Sequence, residues 1–251
     1  MYAYARVQAL LILRSPGQFA ILTMVPLYSS VFFTVLIHHH RQSAATVVAL
    51  TAFGMSMWAH AMFVGAEAVD DDRRDGTLEH GLLRPENYLR ALVTRVSVSC
   101  ALSLPVLGEV IVVGRLLFGL PITVARPAMC LLVIGLVVAG TVGAALLTSA
   151  LMVLVHAART MQNAMTYPFY LLGGLLLPAS TLPPPFDWLA RGFFLAHGFA
   201  LLRELVLGSA PHLAGRLILL VAMVLAQLAV GVAALRWVMH SSRHGKVSLH
   251  G

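Results

Sequence analysis

The chain has 251 residues, of which 59% are hydrophobic and only 11% are charged, and its mean hydropathy is +0.85. Soluble domains carry about 25% charged residues, so the composition argues against a water-soluble fold and indicates a polytopic membrane protein. Seventeen basic residues outnumber ten acidic ones, but they lie mostly singly at the ends of apolar runs, which argues against nucleic-acid binding.

The first seventeen residues are too short and too mixed to cross a bilayer. Tyr2, Tyr4 and Arg6 precede a leucine-rich stretch, and Ser15-Pro16-Gly17 ends it. Aromatic residues with arginine in a short apolar stretch are typical of an amphipathic helix lying at the membrane interface. We therefore expect an interfacial helix over residues 1–17, and no cleaved signal peptide.

Six apolar runs follow, and we expect each to cross the membrane as a helix, which takes about 20 residues. The runs cover residues 19–37, 44–68, 88–118, 128–155, 164–177 and 216–239. Pro105 interrupts the third run, and Glu109 lies inside it. The pattern predicts one all-α membrane domain over residues 1–251, with six transmembrane helices.

The segment 178–212, between the last two runs, has a different character. Its prolines at positions 178, 183, 184 and 185 exclude regular helix at its beginning. The stretch from Phe186 to Phe194 is too short to cross. We expect a re-entrant or interfacial segment at the outer surface.

The charge distribution predicts the orientation. Six spans place both termini on one side, together with residues 69–95 and the loop at 156–163. These segments hold eleven of the seventeen basic residues. Positive residues favour the cytoplasmic side, so both termini are expected in the cytoplasm. Sixteen of the seventeen basic residues are arginine, which together with the abundance of Ala, Val and Leu indicates a bacterial chain, and we expect it in the plasma membrane.

The densest cluster of charge lies at residues 69–86, between the second and third runs. Such charges cannot lie in hydrocarbon and must face water or another protein. Gly76 breaks the preceding helix, Thr77 can cap the next one, and three leucines share a face of that short helix: Leu78, Leu82 and Leu83. An exposed leucine face needs a partner or a membrane surface. The sequence predicts docking of a partner subunit, with a solvated loop as the alternative.

Methionine and aromatic side chains in two runs suit flat apolar ligands. The candidates for a substrate cavity are Met55, Trp58 and Met62 in the second run and Met165 and Phe169 in the fifth. Ordinary helix packing is the alternative.

Glu109 is an ionisable residue well inside the third run, and such residues face a cavity or a partner. Arg115 lies about one and a half turns further on and is its candidate partner; a substrate or proton role is the alternative. Gly135, Ala139 and Gly143 form a small-residue stripe that allows close helix packing. We expect no metal site, and we interpret His38-His39-His40 as a loop.

The run from Asp70 to Pro85 resembles the signature of ABC-2-type transporter permeases, in which an acidic-basic cluster precedes Gly-Thr-Leu-Glu, leucines and a proline. Gly76-Thr77-Leu78-Glu79, Leu82-Leu83 and Pro85 match it, whereas Asp70-Asp71-Asp72 and Gly81 depart from it. Leu13-Arg14-Ser15-Pro16 and the stretch Leu202 to Gly208 resemble other parts of the family.

The resemblance implies that the charged segment is a coupling helix that receives the motion of an ATPase. Its residues would be Asp72, Arg73, Arg74, Asp75, Gly76, Thr77, Leu78, Glu79, Leu82 and Leu83. It also implies a hydrophobic gate at Leu175 and Leu176. Two permease chains, identical or paralogous, would assemble on two nucleotide-binding subunits that carry ATP and Mg.

The chain itself has no phosphate-binding loop, because its one lysine, Lys246, precedes Val247. We therefore expect no cofactor and no enzymatic activity in this chain. The features favour an ATP-driven exporter of apolar or amphipathic drug-like or antibiotic-like molecules. The alternatives are export of a lipid-linked polysaccharide or glycolipid, an ion-coupled secondary transporter or channel that uses Glu109, and a membrane scaffold.

Overall fold

The computed structural model describes residues 16–40, 42–76, 85–154 and 166–243. Its helices are α1 (Pro16–His38), α2 (Ala45–Arg74), α3 (Pro85–Leu102), α4 (Leu104–Leu116), α5 (Pro127–Leu154), α6 (Phe186–Arg191), α7 (Phe194–Leu207) and α8 (Leu213–Arg243). Residues 166–172 are also helical, and single 3-10 turns lie at Gln42–Ala44 and Ala179–Thr181. These described ranges contain no β-strand, so the all-α prediction is confirmed.

Four helical stretches are long and apolar enough to cross a membrane. They are Gln42–Phe63, Tyr88–Leu116, Pro127–Leu154 and Leu213–Ser241, which correspond to the second, third, fourth and last predicted runs. The first and fifth runs are not among these four, so the count of six spans stays a prediction. Most of the predicted interfacial helix, residues 1–15, lies outside the described residues, and Pro16 already belongs to α1.

Helix α5 is the centre of the bundle and packs against α2, α3, α7 and α8. It contains no charged residue, as a helix buried on most sides requires. Gly143 lets α8 approach closely, because a Cβ there would lie 2.8 Å from the Gln227 backbone. The predicted small-residue stripe therefore works at Gly143, whereas Gly135 faces open space.

The third predicted run divides at Ser103, two residues before Pro105. Helix α4 begins at Leu104 and takes the proline in its first turn, where a missing N–H costs nothing. The Ser103 hydroxyl donates to the Cys100 carbonyl at 2.6 Å. The interruption predicted from the proline is thus a helix end followed by a helix start.

One predicted boundary is wrong and one is confirmed. The second apolar run ends at residue 68, but its helix α2 continues through the charges to Arg74, next to the predicted break at Gly76. The fifth run is helical only to residue 172 and then turns at Gly173 and Gly174. Gly174 has φ +66°, a conformation that glycine adopts without strain.

Segment 178–212 holds two short helices, α6 and α7. Helix α7 has 14 residues, about 21 Å at the helical rise, which is less than the thickness of the hydrocarbon core. The prediction that nothing in this segment crosses is consistent with that length. Its re-entrant placement and its side of the membrane stay predictions.

The bundle has two distinct ends. The acidic end comprises Asp71, Asp72, Arg74, Asp75, Tyr88 and Arg95, where α2 ends and α3 begins. The loop end comprises residues 117–126, 173–193 and 208–212, opposite the acidic end. Thr46 at the start of α2 joins this end, since its hydroxyl donates to the Thr123 carbonyl and accepts from the Thr123 N–H, both at 3.1 Å.

Candidate functional site

At the acidic end, polar side chains of α3 hold the last turn of α2. The Tyr88 hydroxyl donates to Asp72 Oδ2 at 2.8 Å. Arg95 lies 3.4 Å from Asp72 Oδ1 and 3.6 Å from Asp71 Oδ2. Asp72 is therefore held from two sides, so that α2 and α3 are joined where the coupling segment leaves the bundle.

The coupling residues are only partly within the described structure. Arg74, Asp75 and Gly76 are exposed, and Asp72 is half-buried. Gly76 has φ +65°, which confirms the predicted break after α2. Arg73 also lies in α2. The remaining predicted coupling residues lie outside the described residues: Thr77, Leu78, Glu79, Leu82 and Leu83. Pro85 begins α3, as predicted.

Tyr88 and Arg95 were not predicted as part of this site. They are seven residues apart, which is two helical turns, so they share one face of α3. The helix that carries them runs back alongside the acidic end of α2. Their spacing could therefore have indicated that both residues contact the aspartates of α2.

Two of the predicted substrate-cavity residues, Trp58 and Phe169, come together in an aromatic cluster, and Met55 lies beside it through its backbone. The ring of Trp58 lies 5.2 Å from that of Phe169 and 5.5 Å from that of Phe193. The Tyr170 hydroxyl donates to the Met55 carbonyl at 3.1 Å, which joins α2 to helix 166–172. Phe193 was missed, because it lies in the irregular loop end, far away in sequence.

The remaining two cavity candidates are not part of the described cluster. Met62 is buried against α5, where the Thr148 hydroxyl contacts its sulfur at 3.3 Å. Met165 lies outside the described residues. The cluster is well packed, and Trp58 is only 1% exposed. Its indole N–H nevertheless has no hydrogen-bond partner within the described structure.

The two predicted gate residues have different surroundings. Leu175 is fully buried, whereas Leu176 is 47% exposed. The Leu175 carbonyl accepts hydrogen bonds from Thr51 of α2 and Arg203 of α7, each at 3.1 Å. The structure thus fixes Leu175 and leaves Leu176 at the surface, beyond the end of helix 166–172.

The predicted pairing of Glu109 with Arg115 is not seen. Arg115 instead donates to the Ile122 carbonyl, through Nε at 3.2 Å and also through Nη2. Glu109 is half-buried on α4 and has no ion-pair partner among the residues that the structure describes. Arg115 therefore fixes the loop after α4.

An ion pair joins α7 to α8 next to the loop end. Arg216 of α8 contacts Glu204 of α7, inside the stretch Leu202 to Gly208 that carries part of the sequence resemblance. Helix α7 ends at Leu207, and the following residue, Gly208, has φ +80°. Within the described ranges, no group of three His, Cys, Asp or Glu side chains is placed to hold a metal ion.

Comparison with known families identifies the domain. A family model described as "ABC-2 type transporter" matches residues 1–207, a range that includes the acidic end, the aromatic cluster and α7. Comparison with individual curated proteins gives no match.

Proposed function

The chain belongs to the ABC-2 type transporter family and is a membrane-embedded ABC transporter permease, and from this premise we propose that it exports apolar or amphipathic small molecules. Export would be driven by ATP, and the molecules would be drug-like or antibiotic-like. Members of the family normally work with ABC ATPase subunits. In the proposed complex, two permease chains, identical or paralogous, dock on two such subunits, which bind ATP and Mg.

The observation that carries the proposal is the continuity of α2. This helix has 30 residues from Ala45 to Arg74, a length of about 45 Å. It contacts Leu175 through Thr51 near one end, contributes Trp58 to the aromatic cluster, and ends at the acidic end. A displacement of its charged end is therefore transmitted through one helix to the cluster and to the proposed gate.

The acidic end is the proposed docking surface for the ATPase. Its exposed charges are followed in the sequence by the segment that we expect to form a short helix with leucines on one face. In the proposed orientation this end faces the cytoplasm, in agreement with the positive-inside rule. The ATPases would press on residues 69–86, and Tyr88 and Arg95 would pass the motion to α3.

The aromatic cluster supports an apolar or amphipathic substrate. Aromatic rings and methionine make large contacts with flat ligands, and Met55, Trp58, Phe169 and Phe193 carry no charge. A buried donor without a partner costs about 1–3 kcal/mol. The Trp58 N–H therefore favours a ligand with one hydrogen-bond acceptor, bound when the cluster opens. A polysaccharide would instead need polar side chains along its path to bind its hydroxyl groups.

The experiment tests the docking helix. The chain is co-expressed with its ATPase and reconstituted in vesicles, with ethidium as the flat amphipathic probe. We expect Leu82→Asp to abolish assembly or ATP-driven ethidium export, because it places a charge on the apolar docking face. Leu82→Met, which keeps that face apolar, is the matched control and should retain export.

Two outcomes would contradict the proposal. If assembly and ethidium-stimulated ATP hydrolysis both survive Leu82→Asp, residues 69–86 are not the docking site. If export persists with a catalytically inactive ATPase while the proton gradient is intact, the chain is a secondary transporter.

A further inference from the structure

The turn after helix 166–172 is held by polar side chains from two other helices. Arg203 of α7 donates through Nη2 to the carbonyls of Gly174 and, at 3.1 Å, Leu175. Thr51 of α2 donates through its hydroxyl to the same Leu175 carbonyl at 3.1 Å. Donors from two helices thus converge on one backbone oxygen.

The geometry of the turn explains why these donors are needed. The backbone N–H groups of Leu175 and Leu176 both donate to the Tyr170 carbonyl, at 3.1 and 3.4 Å. The carbonyls at the end of a helix have no partner within that helix. In the turn that follows helix 166–172, the carbonyls of Gly174 and Leu175 likewise need partners from outside the helix. A guanidinium at a helix C-terminus satisfies them and is favoured by the helix dipole.

The side chain of Leu175 is held as tightly as its carbonyl. It lies against Gly54 of α2, where an added Cβ would be 2.7 Å from Leu175 Cδ2 and 2.2 Å from Phe199 Cζ. Leu175 is therefore buried between α2 and α7, and Thr51 and Arg203 hold its backbone from the same two helices. Its position depends on how α2 and α7 lie relative to each other.

The two donors differ in their attachment. Arg203 lies on α7, which is joined to α8 by the pair between Glu204 and Arg216. Thr51 lies on α2, whose other end is the acidic end. A displacement of α2 relative to α7 would withdraw the Thr51 hydroxyl while Arg203 keeps its place.

We propose that Arg203 and Thr51 are positioning residues that hold Leu175 in its buried position, with Arg203 as the fixed contact and Thr51 as the releasable one. The proposal rests on the proposed function only where it treats the release of Leu175 as opening of the gate. Breaking either contact raises the fraction of chains in which Leu175 is accessible to water.

The test measures that accessibility directly. Cys100 and Cys130, the two native cysteines, are replaced by alanine, and Leu175→Cys introduces one thiol while keeping the backbone carbonyl. The full chain is labelled with a membrane-impermeant maleimide in right-side-out and in inside-out vesicles. Leu176→Cys, at the neighbouring exposed position, is the matched control.

Labelling of a buried thiol follows the population of the opened state. We expect Arg203→Met to accelerate labelling at position 175 about tenfold or more, since it removes a charged donor to two carbonyls, and Thr51→Val about threefold. Arg203→Lys should be intermediate, because an ammonium keeps the charge without the planar guanidinium. Thr51→Ser should leave the labelling rate at position 175 unchanged. None of the substitutions at Arg203 and Thr51 should change the labelling rate of the control thiol at position 176.

The proposal is overturned if Arg203→Met and Thr51→Val leave labelling at position 175 unchanged, or if they accelerate positions 175 and 176 equally, which indicates general loosening. If Arg203→Met does not accumulate in the membrane, the pair Thr51→Val and Thr51→Ser decides alone. Because labelling requires no transported substrate, absence of ethidium export together with the expected labelling pattern would contradict the proposed function and leave the positioning roles intact.

Discussion

The two ends of the bundle are held together by different kinds of contact. At the acidic end, side chains bind side chains. Tyr88 and Arg95 contact the carboxylate of Asp72, and Arg95 also contacts that of Asp71, whose side chain is half exposed. At the loop end, ion pairs join Arg216 to Glu204 and Arg191 to Asp187, but side chains also bind the backbone, since Arg203 and Arg115 donate to carbonyls. Contacts between partly exposed charges are weak and are screened by salt. Contacts to backbone carbonyls fix the path of the chain.

This difference indicates which end can move at low cost. The acidic end can exchange its ion pairs for contacts with a partner or with water. At the loop end, a change that withdrew Arg203 or Arg115 would leave backbone carbonyls unsatisfied, which is costly in a buried site. Because α2 joins the two ends, a displacement received at the weaker end reaches the loop end, where it opens the turn only if the Thr51 contact with the Leu175 carbonyl is released.

The largest expected effect on stability is at the loop end. We expect Gly54→Ala to lower the free energy of unfolding by about 1–3 kcal/mol, since its Cβ would collide with Phe199 and Leu175. Gly108→Ala in α4 is the matched control, because a Cβ there meets no atom within 4 Å, and it should be neutral or slightly stabilising. Unfolding by SDS titration in mixed micelles measures both. Equal effects would show that Leu175 is not tightly packed.

The next effect tests a side chain that binds the backbone. Arg115→Met should cost about 1.5 kcal/mol, since it removes a charged donor from the Ile122 carbonyl. The cost should be nearly independent of salt, because its partner carries no net charge. The same titration at low and at high NaCl checks this. A cost that disappears at high salt would mean that Arg115 acts through an ion pair.

The smallest effect is expected at the acidic end. Arg95→Met should cost about 0.5–1 kcal/mol at low salt, because its pairs with Asp71 and Asp72 are partly exposed. The cost should shrink as NaCl is raised. Unfolding curves of both arginine variants over one salt series give the comparison. A cost at Arg95 that exceeds that at Arg115 and is unaffected by salt would reverse the contrast between the ends.

Much of the fold follows from local sequence properties. The spans in α2, α5 and α8 and the break between α3 and α4 were predicted because hydropathy, length and proline act within a single segment. The end of α2 follows from Gly76, whereas the charges before it mark only where the segment leaves the hydrocarbon core. The early end of helix 166–172 was missed although Gly173 and Gly174 stand there, because apolar leucines continue after them.

The candidate site was predicted less completely, for a physical reason. Composition indicated that Met55, Trp58 and Phe169 suit an apolar ligand. The structure brings the rings of Trp58 and Phe169 together and bonds the Met55 carbonyl to the neighbouring Tyr170. The contacts of Arg203 with the turn at Leu175 depend on which helices are neighbours, and residues 28 positions apart give no local signal of this. The expected partner of Arg115 was wrong for the same reason, since its carbonyl acceptor lies in a loop.

The central claim, that an ATPase docked at residues 69–86 opens the loop end through α2, has one direct test. In vesicles with the ATPase subunits, maleimide labelling of the Leu175→Cys thiol is measured with and without ATP, in chains carrying Leu82 or Leu82→Asp. The account predicts that ATP accelerates labelling with Leu82 and has no effect with Leu82→Asp. ATP-dependent labelling that is unchanged by Leu82→Asp would contradict it.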